Sequence, residues 1–247
     1  MACPDPEDAR PAMSEMRPHI VVIGGTSGIG LATAKLFVAR RARVTIVGRD
    51  REKLSAALLP LGSFAAGEAF DASDRTALDV FFNRIGPIDH LILAASAGSG
   101  AGPFVQVEAG ALRRGFEGKF WVHWHAAQSA LPHIGEGGSI TFVTAASSRR
   151  AGPGTSGLAA INGALESLAR TLARELAPLR VNAVSPGVID SPWWADKPAA
   201  MFEAASRSAP LARPGGVEEV AEAIAFLIGN RFVTGVVLDV DGGLHLT

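Results

Sequence analysis

The chain has 247 residues, of which 48% are hydrophobic and 19% charged, and its formal net charge is −1. This composition is typical of a globular protein with ample core material, and the balanced charge argues against a nucleic-acid partner. The single cysteine, Cys3, excludes an internal disulfide and a thiolate zinc cluster. We therefore expect a cytoplasmic protein. We expect no membrane partner, because no apolar run approaches the roughly 20 residues of a membrane-spanning helix.

Residues 1–18 form a proline-rich, acidic stretch without an apolar centre. The stretch resembles neither a secretory signal nor a basic amphipathic transit peptide, so we predict a flexible N-terminal tail. From residue 19 to residue 247, strand-like and helix-like segments alternate without an internal repeat or a linker. This pattern predicts one domain.

Strand candidates are short β-branched or aliphatic runs: HIVVIG (19–24), RVTIVG (43–48), HLILAA (90–95), SITFVTA (139–145), RVNAVS (180–185) and GVVLDV (235–240). Stretches of helical spacing separate most of them, with long helices predicted near 109–132 and 155–177. Apolar strands that alternate with helices are typical of a parallel sheet covered on both faces. The sequence therefore predicts an α/β fold.

The glycine-rich segment GGTSGIG follows the first predicted strand and opens a helix. Its glycines let backbone amides approach a pyrophosphate, and the N-terminus of the helix offers unpaired N–H groups and a favourable dipole. The same glycines would also serve a plain tight turn, but their place between a strand and a helix favours nucleotide binding. The predicted cofactor contacts in this turn are Gly24, Thr26, Ser27, Gly28, Ile29 and Gly30.

The end of the second predicted strand bears on the choice of cofactor. Enzymes that select NAD usually place a carboxylate there for the ribose 2′-hydroxyl, whereas this chain has Gly48 followed by Arg49. Glycine leaves room, and a guanidinium suits a 2′-phosphate by charge and by bidentate geometry. The alternative is an arginine on a surface turn. We predict NADP(H) as the cofactor.

Four segments resemble the short-chain dehydrogenase/reductase family and span most of the chain: GGTSGIG (24–30), FDASD (70–74), VNAVSPGVIDSP (181–192) and VTGVVLDVDGG (233–243). The resemblance implies a Rossmann-type, doubly wound sheet of seven parallel strands in the order 3-2-1-4-5-6-7, with helices on both faces. It also implies further cofactor contacts. These are Asp71 beside the adenine, Ala95, and Pro186, Gly187 and Ile189 near the nicotinamide.

The same resemblance implies a catalytic set that this chain does not retain. In the family a tyrosine passes a proton to a carbonyl oxygen, a serine holds that oxygen, a lysine lowers the pKa of the tyrosine, and an asparagine anchors a relay water. The asparagine, serine, tyrosine and lysine positions here hold Lys119, Ala145, Leu158 and Asn162. No shift of register restores the acid, because the chain contains no tyrosine. The usual acid–base route is therefore excluded at Leu158.

The remaining polar candidates for catalysis are Lys119, Thr144 and Asn162. A buried Lys119 could act as an acid with a lowered pKa, or its stem could pack while its ammonium group reaches solvent. Thr144 could donate to a substrate oxygen, or serve only as a strand residue. Because the family's asparagine and lysine appear exchanged, we predict that Lys119 donates to the amide oxygen of Asn162, directly or through one water. Ser147 and Ser148, on the following loop, are weaker candidates.

Two tryptophans, Trp193 and Trp194, follow the predicted nicotinamide segment. In the family this region covers the substrate, so we predict that they stack on an apolar or aromatic small molecule; the alternative is packing against their own domain or a neighbouring subunit. The family resemblance further implies a homodimer or homotetramer. His123 and His125 are two residues apart and face different sides of a helix, so we expect packed or capping histidines and no metal site.

These observations predict an NADP(H)-dependent oxidoreductase with a non-standard proton path. Hydride transfer needs alignment and a cofactor, whereas the missing tyrosine matters chiefly for protonating a carbonyl oxygen. Reduction of C=N or of an activated C=C bond therefore fits better than reduction of a simple ketone. Two alternatives stay open: a catalytically inactive NADP(H)-binding sensor or partner subunit, and a non-redox lyase, isomerase or cyclase that uses the same pocket.

Overall fold

The computed structural model describes residues 17–96 and 98–247, so the predicted N-terminal tail lies almost wholly outside the described residues. The strands are β1 His19–Ile23, β2 Arg43–Gly48, β3 Ala65–Ala69, β4 Ile88–Leu93, β5 Ile134–Val143, β6 Arg180–Pro186 and β7 Val237–Val240. The α-helices are α1 Gly28–Ala39, α2 Arg51–Leu58, α3 Arg75–Ile85, α4 Ala109–Gly115, α5 Val122–Ala130, α6 Ser156–Glu175, α7 Ala199–Arg207 and α8 Val217–Gly229. No helix among these residues is long and apolar enough to cross a membrane.

The seven strands form one sheet in the order β3-β2-β1-β4-β5-β6-β7, and every neighbouring pair is parallel. The order reverses between β1 and β4. In such sheets, ligands bind in the crevice beyond the carboxyl ends of the strands at this reversal. The predicted Rossmann-type fold is confirmed.

Successive residues of β1 enter two different cores, one on each face of the sheet. Val21 and Ile23 belong to a core with residues of α3, α5 and α6, whereas Ile20 and Val22 belong to a core with residues of α1, α2 and α8. Because neighbouring side chains of a strand point to opposite faces, a strand covered on both faces must be apolar throughout. This is the physical reason for the uninterrupted apolar runs in the sequence.

The long helix expected near 109–132 is divided. A turn of π-helix, Phe116–Trp121, lies between α4 and α5. Turns of this kind are rare and are often found at functional sites. The turn contains Lys119, and it carries that side chain toward the carboxyl end of β5.

Candidate active site

The turn between β1 and α1 is built so closely that only glycine fits at two of its positions. A Cβ atom on Gly30 would lie 2.1 Å from the carbonyl oxygen of Gly24, and one on Gly24 would lie 2.5 Å from the backbone nitrogen of Ala95. Gly24 and Gly28 also adopt left-handed backbone angles, with φ of +86° and +51°. The turn therefore lies directly against the segment that follows β4, at the reversal of the sheet.

The N-terminus of α1 is suited to an anion. Ser27 occupies the N-cap position, but its side chain makes no capping hydrogen bond, and the first turn contains no acidic residue. The first N–H groups of a helix have no partner within the helix, and the helix dipole favours negative charge at this end. The residues present therefore fit the phosphates of a dinucleotide.

At the end of β2, Arg49 is available to a bound ribose, whereas the neighbouring carboxylate of Asp50 is engaged elsewhere. Arg49 is exposed and makes no ion pair with any other described residue. The adjacent Asp50 caps α2, accepting hydrogen bonds from the backbone nitrogens of Glu52 at 2.9 Å and Lys53 at 3.0 Å. A Cβ atom on Gly48 would lie 2.4 Å from the Cγ2 atom of Thr26. This end of the strand therefore meets the phosphate turn directly.

Asp71 lies just beyond β3, on the same edge of the sheet. It is exposed, and one carboxylate oxygen accepts a hydrogen bond from the backbone nitrogen of Ser73 at 3.0 Å. The preceding residue, Phe70, donates its N–H to the Gly48 carbonyl at 3.1 Å, which ties this segment to the end of β2. Asp71 thus directly follows a residue that is hydrogen-bonded to the end of β2, where an adenine site is expected.

The segment after β6 returns to the phosphate turn. A Cβ atom on Gly187 would lie 2.6 Å from the Cα atom of Asp241, so glycine is required for this close approach. Ile189 is buried and forms an isolated bridge with Gly215. The Cβ atom of Ser191 lies 3.7 Å from the position of a Cβ atom on Gly28. The sequence did not predict this contact of Ser191 with the phosphate turn, although Ser191 lies within the segment VNAVSPGVIDSP (181–192).

Lys119 is only 6% exposed, and its Nζ atom donates a hydrogen bond to the carbonyl oxygen of Thr144 at 3.2 Å. Its ammonium group therefore lies in the interior and not in solvent, which was one of the two expectations. Burial lowers the pKa of Lys119 to about 8, while the negative charge of Glu166 acts in the opposite direction. Lys119 is therefore a buried amine that is still largely protonated near neutral pH.

The Thr144 hydroxyl is already engaged within the protein. Its Oγ1 atom donates toward the Val184 carbonyl at 3.1 Å and toward Oε1 of Glu166 at 3.2 Å, and the residue is buried. Donation to a substrate oxygen, as considered from the sequence, would require it to leave both acceptors. Glu166 had no predicted role, because its burial arises only from tertiary packing.

The predicted direct hydrogen bond between Lys119 and Asn162 is not formed. The Nδ2 atom of Asn162 donates to the Leu158 carbonyl one turn earlier at 2.9 Å and to Oγ of Ser147 at 3.2 Å. Its Oδ1 atom is buried and has no hydrogen-bond partner among the described residues. The amide is thus held by its own helix. Its remaining oxygen is a suitable acceptor for a hydroxyl of a bound ribose.

The two other altered positions contribute little polarity. Leu158, at the first turn of α6, and Ala145, just after β5, are both partly buried. Ser148, on the loop that follows Ala145, donates to the Ala145 carbonyl at 2.9 Å and also to Oε1 of Glu166. Neither the Ala145 nor the Leu158 side chain therefore offers a hydrogen-bond donor to a substrate carbonyl, as expected from the sequence.

Both histidines of α5 interact with backbone carbonyls. His123 is fully buried, and its Nε2 atom lies 2.9 Å from the carbonyl oxygen of Ala95. Burial lowers its pKa to about 3, so the ring is neutral and donates from Nε2. The Nδ1 atom of His125 lies 3.0 Å from the Ser73 carbonyl. His123 therefore fixes the segment after β4 on which the phosphate turn rests.

The two tryptophans form an aromatic cluster at the edge of the crevice. The rings of Trp193 and Trp194 meet edge to face at a centroid distance of 4.8 Å, and Trp194 also contacts Phe202 at 5.2 Å. The Nζ atom of Lys197 lies 3.2 Å from the centre of the Trp193 ring. A Cβ atom on Gly98 would lie 3.6 Å from Nε1 of Trp193. The cluster therefore reaches the segment around Gly98, which follows β4.

Three potential metal ligands, Asp239, Asp241 and His245, have ligand atoms within 4.8 Å of one another. Asp241 already accepts hydrogen bonds from the backbone nitrogens of Gly243 at 2.9 Å and His245 at 2.8 Å, and from Nδ1 of His245 at 2.8 Å. Asp239 pairs with Arg149 at 2.7 Å. Because protein donors occupy most of these oxygens, we assign no metal here.

Comparison with known proteins places these features in context. A family described as Enoyl-(Acyl carrier protein) reductase matches residues 24–245. The chain is 33% identical to cis-4-hydroxycyclohexanecarboxylate dehydrogenase of Sinomonas cyclohexanicum, over 90% of this chain and 94% of that protein. It is 30% identical to 3-oxoacyl-[acyl-carrier-protein] reductase of Rattus norvegicus, over 92% of this chain and 97% of that protein. A solved structure, a small-chain dehydrogenase in complex with NADPH, is 34% identical with a TM-score of 0.81, covering 94% of this chain and 100% of that one.

Proposed function

The chain belongs to the short-chain dehydrogenase/reductase family and is a nicotinamide-dependent oxidoreductase of small molecules, and from this premise we propose that it uses NADP(H) to reduce C=N or activated C=C bonds. The observation that carries the proposal is the pairing of a retained cofactor cradle with an apolar wall at Leu158 and Ala145 and a buried amine at Lys119. The cradle supports redox chemistry, and the wall disfavours ketones.

The preference for NADP(H) rests on the end of β2. Arg49 is exposed, Gly48 offers no carboxylate to repel a 2′-phosphate, and Asp50 is engaged in capping α2. A guanidinium group binds a phosphate by charge and by a planar pair of donors. The related solved structure that holds NADPH is consistent with this choice.

A bound nicotinamide supplies the hydride, and the protein supplies binding, orientation and any proton. The phosphate turn and the N-terminus of α1 would hold the phosphates, with the segment around Ile189 and Ser191 lying beside that turn. The Oδ1 atom of Asn162, which has no partner among the described residues, would accept a hydrogen bond from the ribose of the bound cofactor. Asn162 thus keeps a binding role at the family's lysine position without supplying a positive charge.

The class of substrate follows from the demand for protons. Reduction of a ketone needs a proton delivered to oxygen, and neither Leu158 nor Ala145 can donate one. Reduction of an iminium ion gives a neutral amine without any proton from the protein. Reduction of an activated C=C bond needs one proton at carbon, which Lys119 delivers through a bridging water. The tryptophan cluster favours an apolar or aromatic substrate.

A second candidate function is supported by the same four positions. All four of the family's catalytic residues are replaced while the phosphate turn is kept. This is the pattern expected of an NADP(H)-binding sensor or partner subunit without turnover. Binding alone requires only the cradle and Arg49.

The test combines a binding titration with a turnover panel. NADPH binding is measured first, and NADPH oxidation is then followed with cyclic iminium ions, enones and simple ketones of matched size. Turnover of the first two classes and not of ketones supports the proposal, and ketone turnover at an equal rate overturns it. Binding without turnover points to the sensor. Conversion of a substrate without oxidation of NADPH points to a lyase, isomerase or cyclase.

We also propose a homodimer or homotetramer in the cytoplasm. Large apolar side chains are exposed on two surfaces, at Trp121 in the π-helical turn and at Phe226 and Phe232 near the edge strand β7. Exposed apolar groups of this size favour burial against another subunit. Light scattering at micromolar concentration tests the assembly, and a monomer would contradict it.

The single cysteine supports a reducing compartment, and fractionation of the producing cells tests the location.

A further inference from the structure

A buried carboxylate lies one helical turn beyond Asn162 on α6. Glu166 is only 4% exposed, and residues four apart on a helix share a face. A buried carboxylate requires donors or a positive charge nearby, because its removal from water is costly. The contacts of Glu166 therefore indicate what it does.

Thr144 joins Glu166 to Lys119. Its carbonyl oxygen accepts from the Lys119 ammonium at 3.2 Å, and its hydroxyl donates to Oε1 of Glu166 at 3.2 Å. One residue at the end of β5 thus contacts the buried cation with its backbone and the buried anion with its side chain. The two charged groups therefore meet different atoms of the same residue, at the carboxyl end of β5.

The carboxylate of Glu166 is held from its other side by the loop after β5. Ser148 donates its hydroxyl to Oε1, and Nε of Arg149 lies 3.4 Å from Oε2. Arg149 also pairs with Asp239 on β7 at 2.7 Å. Glu166 is therefore fixed in place by hydrogen bonds that do not depend on Lys119.

Few charges face the Lys119 ammonium. On its own helical segment, His123 is neutral, because burial lowers its pKa to about 3. From α6, Glu166 is the charged group that acts on Lys119, and it favours the protonated amine against the effect of burial. Position 162, where the family resemblance implies a lysine, holds Asn162, so Lys119 is the buried lysine beside Thr144.

We propose that Glu166 is a positioning residue that keeps the Lys119 amine protonated and held at the Thr144 carbonyl. The consequence for catalysis rests on the proposed function, in which Lys119 is the proton source. The effect of Glu166 on the protonation of Lys119 does not depend on that function. It can be measured without a substrate.

The direct experiment is an NMR titration of the lysine side chains in the full chain. The four lysines are Lys35, Lys53, Lys119 and Lys197, and ¹³C labelling at Cε follows the protonation of each, with Lys119→Met as the assignment control. We expect Glu166→Gln to lower the titration midpoint of Lys119, because it removes the negative charge and keeps the size of the side chain. The matched control is Glu175→Gln, the same change at an exposed position of α6. An unchanged Lys119 midpoint in Glu166→Gln overturns the proposal.

A second variant serves if Glu166→Gln does not fold. Arg149→Met removes the cation that shares the carboxylate, so the midpoint of Lys119 should rise. A midpoint that stays the same or falls overturns the proposal. A purely structural role of Glu166 would lower the melting temperature without moving the Lys119 midpoint.

The pH dependence of kcat/KM then separates this inference from the proposed function. If both hold, the basic limb of the profile moves to lower pH in Glu166→Gln together with the NMR midpoint. If the midpoint moves and the limb does not, Glu166 controls Lys119 and the assignment of Lys119 as proton source fails. If the midpoint does not move, the role of Glu166 fails whatever the activity shows.

Discussion

The Lys119 ammonium nitrogen lies 3.2 Å from the carbonyl oxygen of Thr144, inside the protein at the carboxyl end of β5. The direct hydrogen bond predicted between Lys119 and Asn162 is therefore not formed. Asn162 binds back to its own helix, and the lysine binds the strand next to a buried carboxylate. The Lys119 ammonium group is therefore anchored by the Thr144 carbonyl and not by the Asn162 amide.

The buried amine should make folding stability depend on pH in a specific window. The pKa of Lys119 falls from 10.5 to about 8 in the folded protein, so between these values the unfolded chain binds the extra proton. Stability from this group is present above pH 10.5 and is lost as pH falls through about 8. We expect the unfolding free energy of the wild type, relative to Lys119→Met, to rise by about 3 kcal/mol across this window.

Urea unfolding of both proteins across this window, extended to neutral pH, measures the difference. Lys35→Met, at an exposed position of α1, is the control and should show no such trend. A difference between the wild type and Lys119→Met that is flat over the window would contradict a lowered pKa of Lys119 in the folded protein.

NADPH should bind at least about tenfold more tightly than NADH, a difference of about 1.4 kcal/mol. Arg49 is the reason, because it is exposed at the end of β2 and engaged in no ion pair with the described residues. Arg49→Ala should remove most of the gap and leave NADH affinity unchanged. Fluorescence titration with both cofactors measures it, with Arg170→Ala on the exposed face of α6 as the control. Equal affinities in the wild type would rule out the predicted preference.

Gly48 and Thr26 should be energetically coupled. A Cβ atom on Gly48 would lie 2.4 Å from Cγ2 of Thr26, so Gly48→Ala forces the threonine, and with it the phosphate turn, to shift. Overpacking of this kind costs about 1–3 kcal/mol, and we expect NADPH binding to weaken by about tenfold or more. Thr26→Ala removes the clashing atom. In a double-mutant cycle the pair should bind NADPH more tightly than Gly48→Ala alone; additive losses would show that the two positions do not interact.

The strands were predictable where the sheet is covered on both faces, and the edge strand β3 was not. Its residues, Ala65–Ala69, include neither a β-branched nor an aromatic side chain. A Cβ atom on Gly67 would lie 2.7 Å from Cδ1 of Leu54 on α2, so close packing of the helix selects small residues there. The sequence pattern alone predicted six strands, and the family resemblance implied one more. That additional strand is β3, because pairing with β2, and not local propensity, makes this segment a strand.

The phosphate turn was predictable because its geometry restricts the sequence to glycine, whereas the environment of Lys119 was not. The π-helical turn has the same spacing of apolar residues as an ordinary helix, so nothing in the sequence shows where Lys119 points. In the sequence, Glu166 resembles any other charged residue on an amphipathic helix. Its burial depends on how α6 packs against β5 and the following loop. The spacing of residues in the sequence could therefore predict neither the contact of Lys119 with Thr144 nor that of Glu166 with Thr144.

Restoring the family's residues should produce ketone reduction, and the position of Lys119 determines how well. The triple variant Ala145→Ser, Leu158→Tyr, Asn162→Lys regains the donors, but the lysine introduced by Asn162→Lys would be a second cation near the one carboxylate, Glu166, that Lys119 already uses. Two ammonium groups that share one carboxylate disfavour each other. The quadruple variant that adds Lys119→Asn should therefore reduce ketones faster than the triple.

General acid catalysis contributes about 10²–10⁴-fold, so NADPH oxidation with a panel of ketones should resolve the gain from the background. The matched control omits the acid: Ala145→Ser, Asn162→Lys and Lys119→Asn, with Leu158 kept. This control should stay as inactive toward ketones as the wild type, because it has no phenolic proton to give. If the quadruple variant binds NADPH normally and still reduces no ketone, the missing tyrosine is not what prevents ketone reduction. The selectivity for C=N and C=C bonds would then have to come from the shape of the pocket, and not from the missing donors at Leu158 and Ala145.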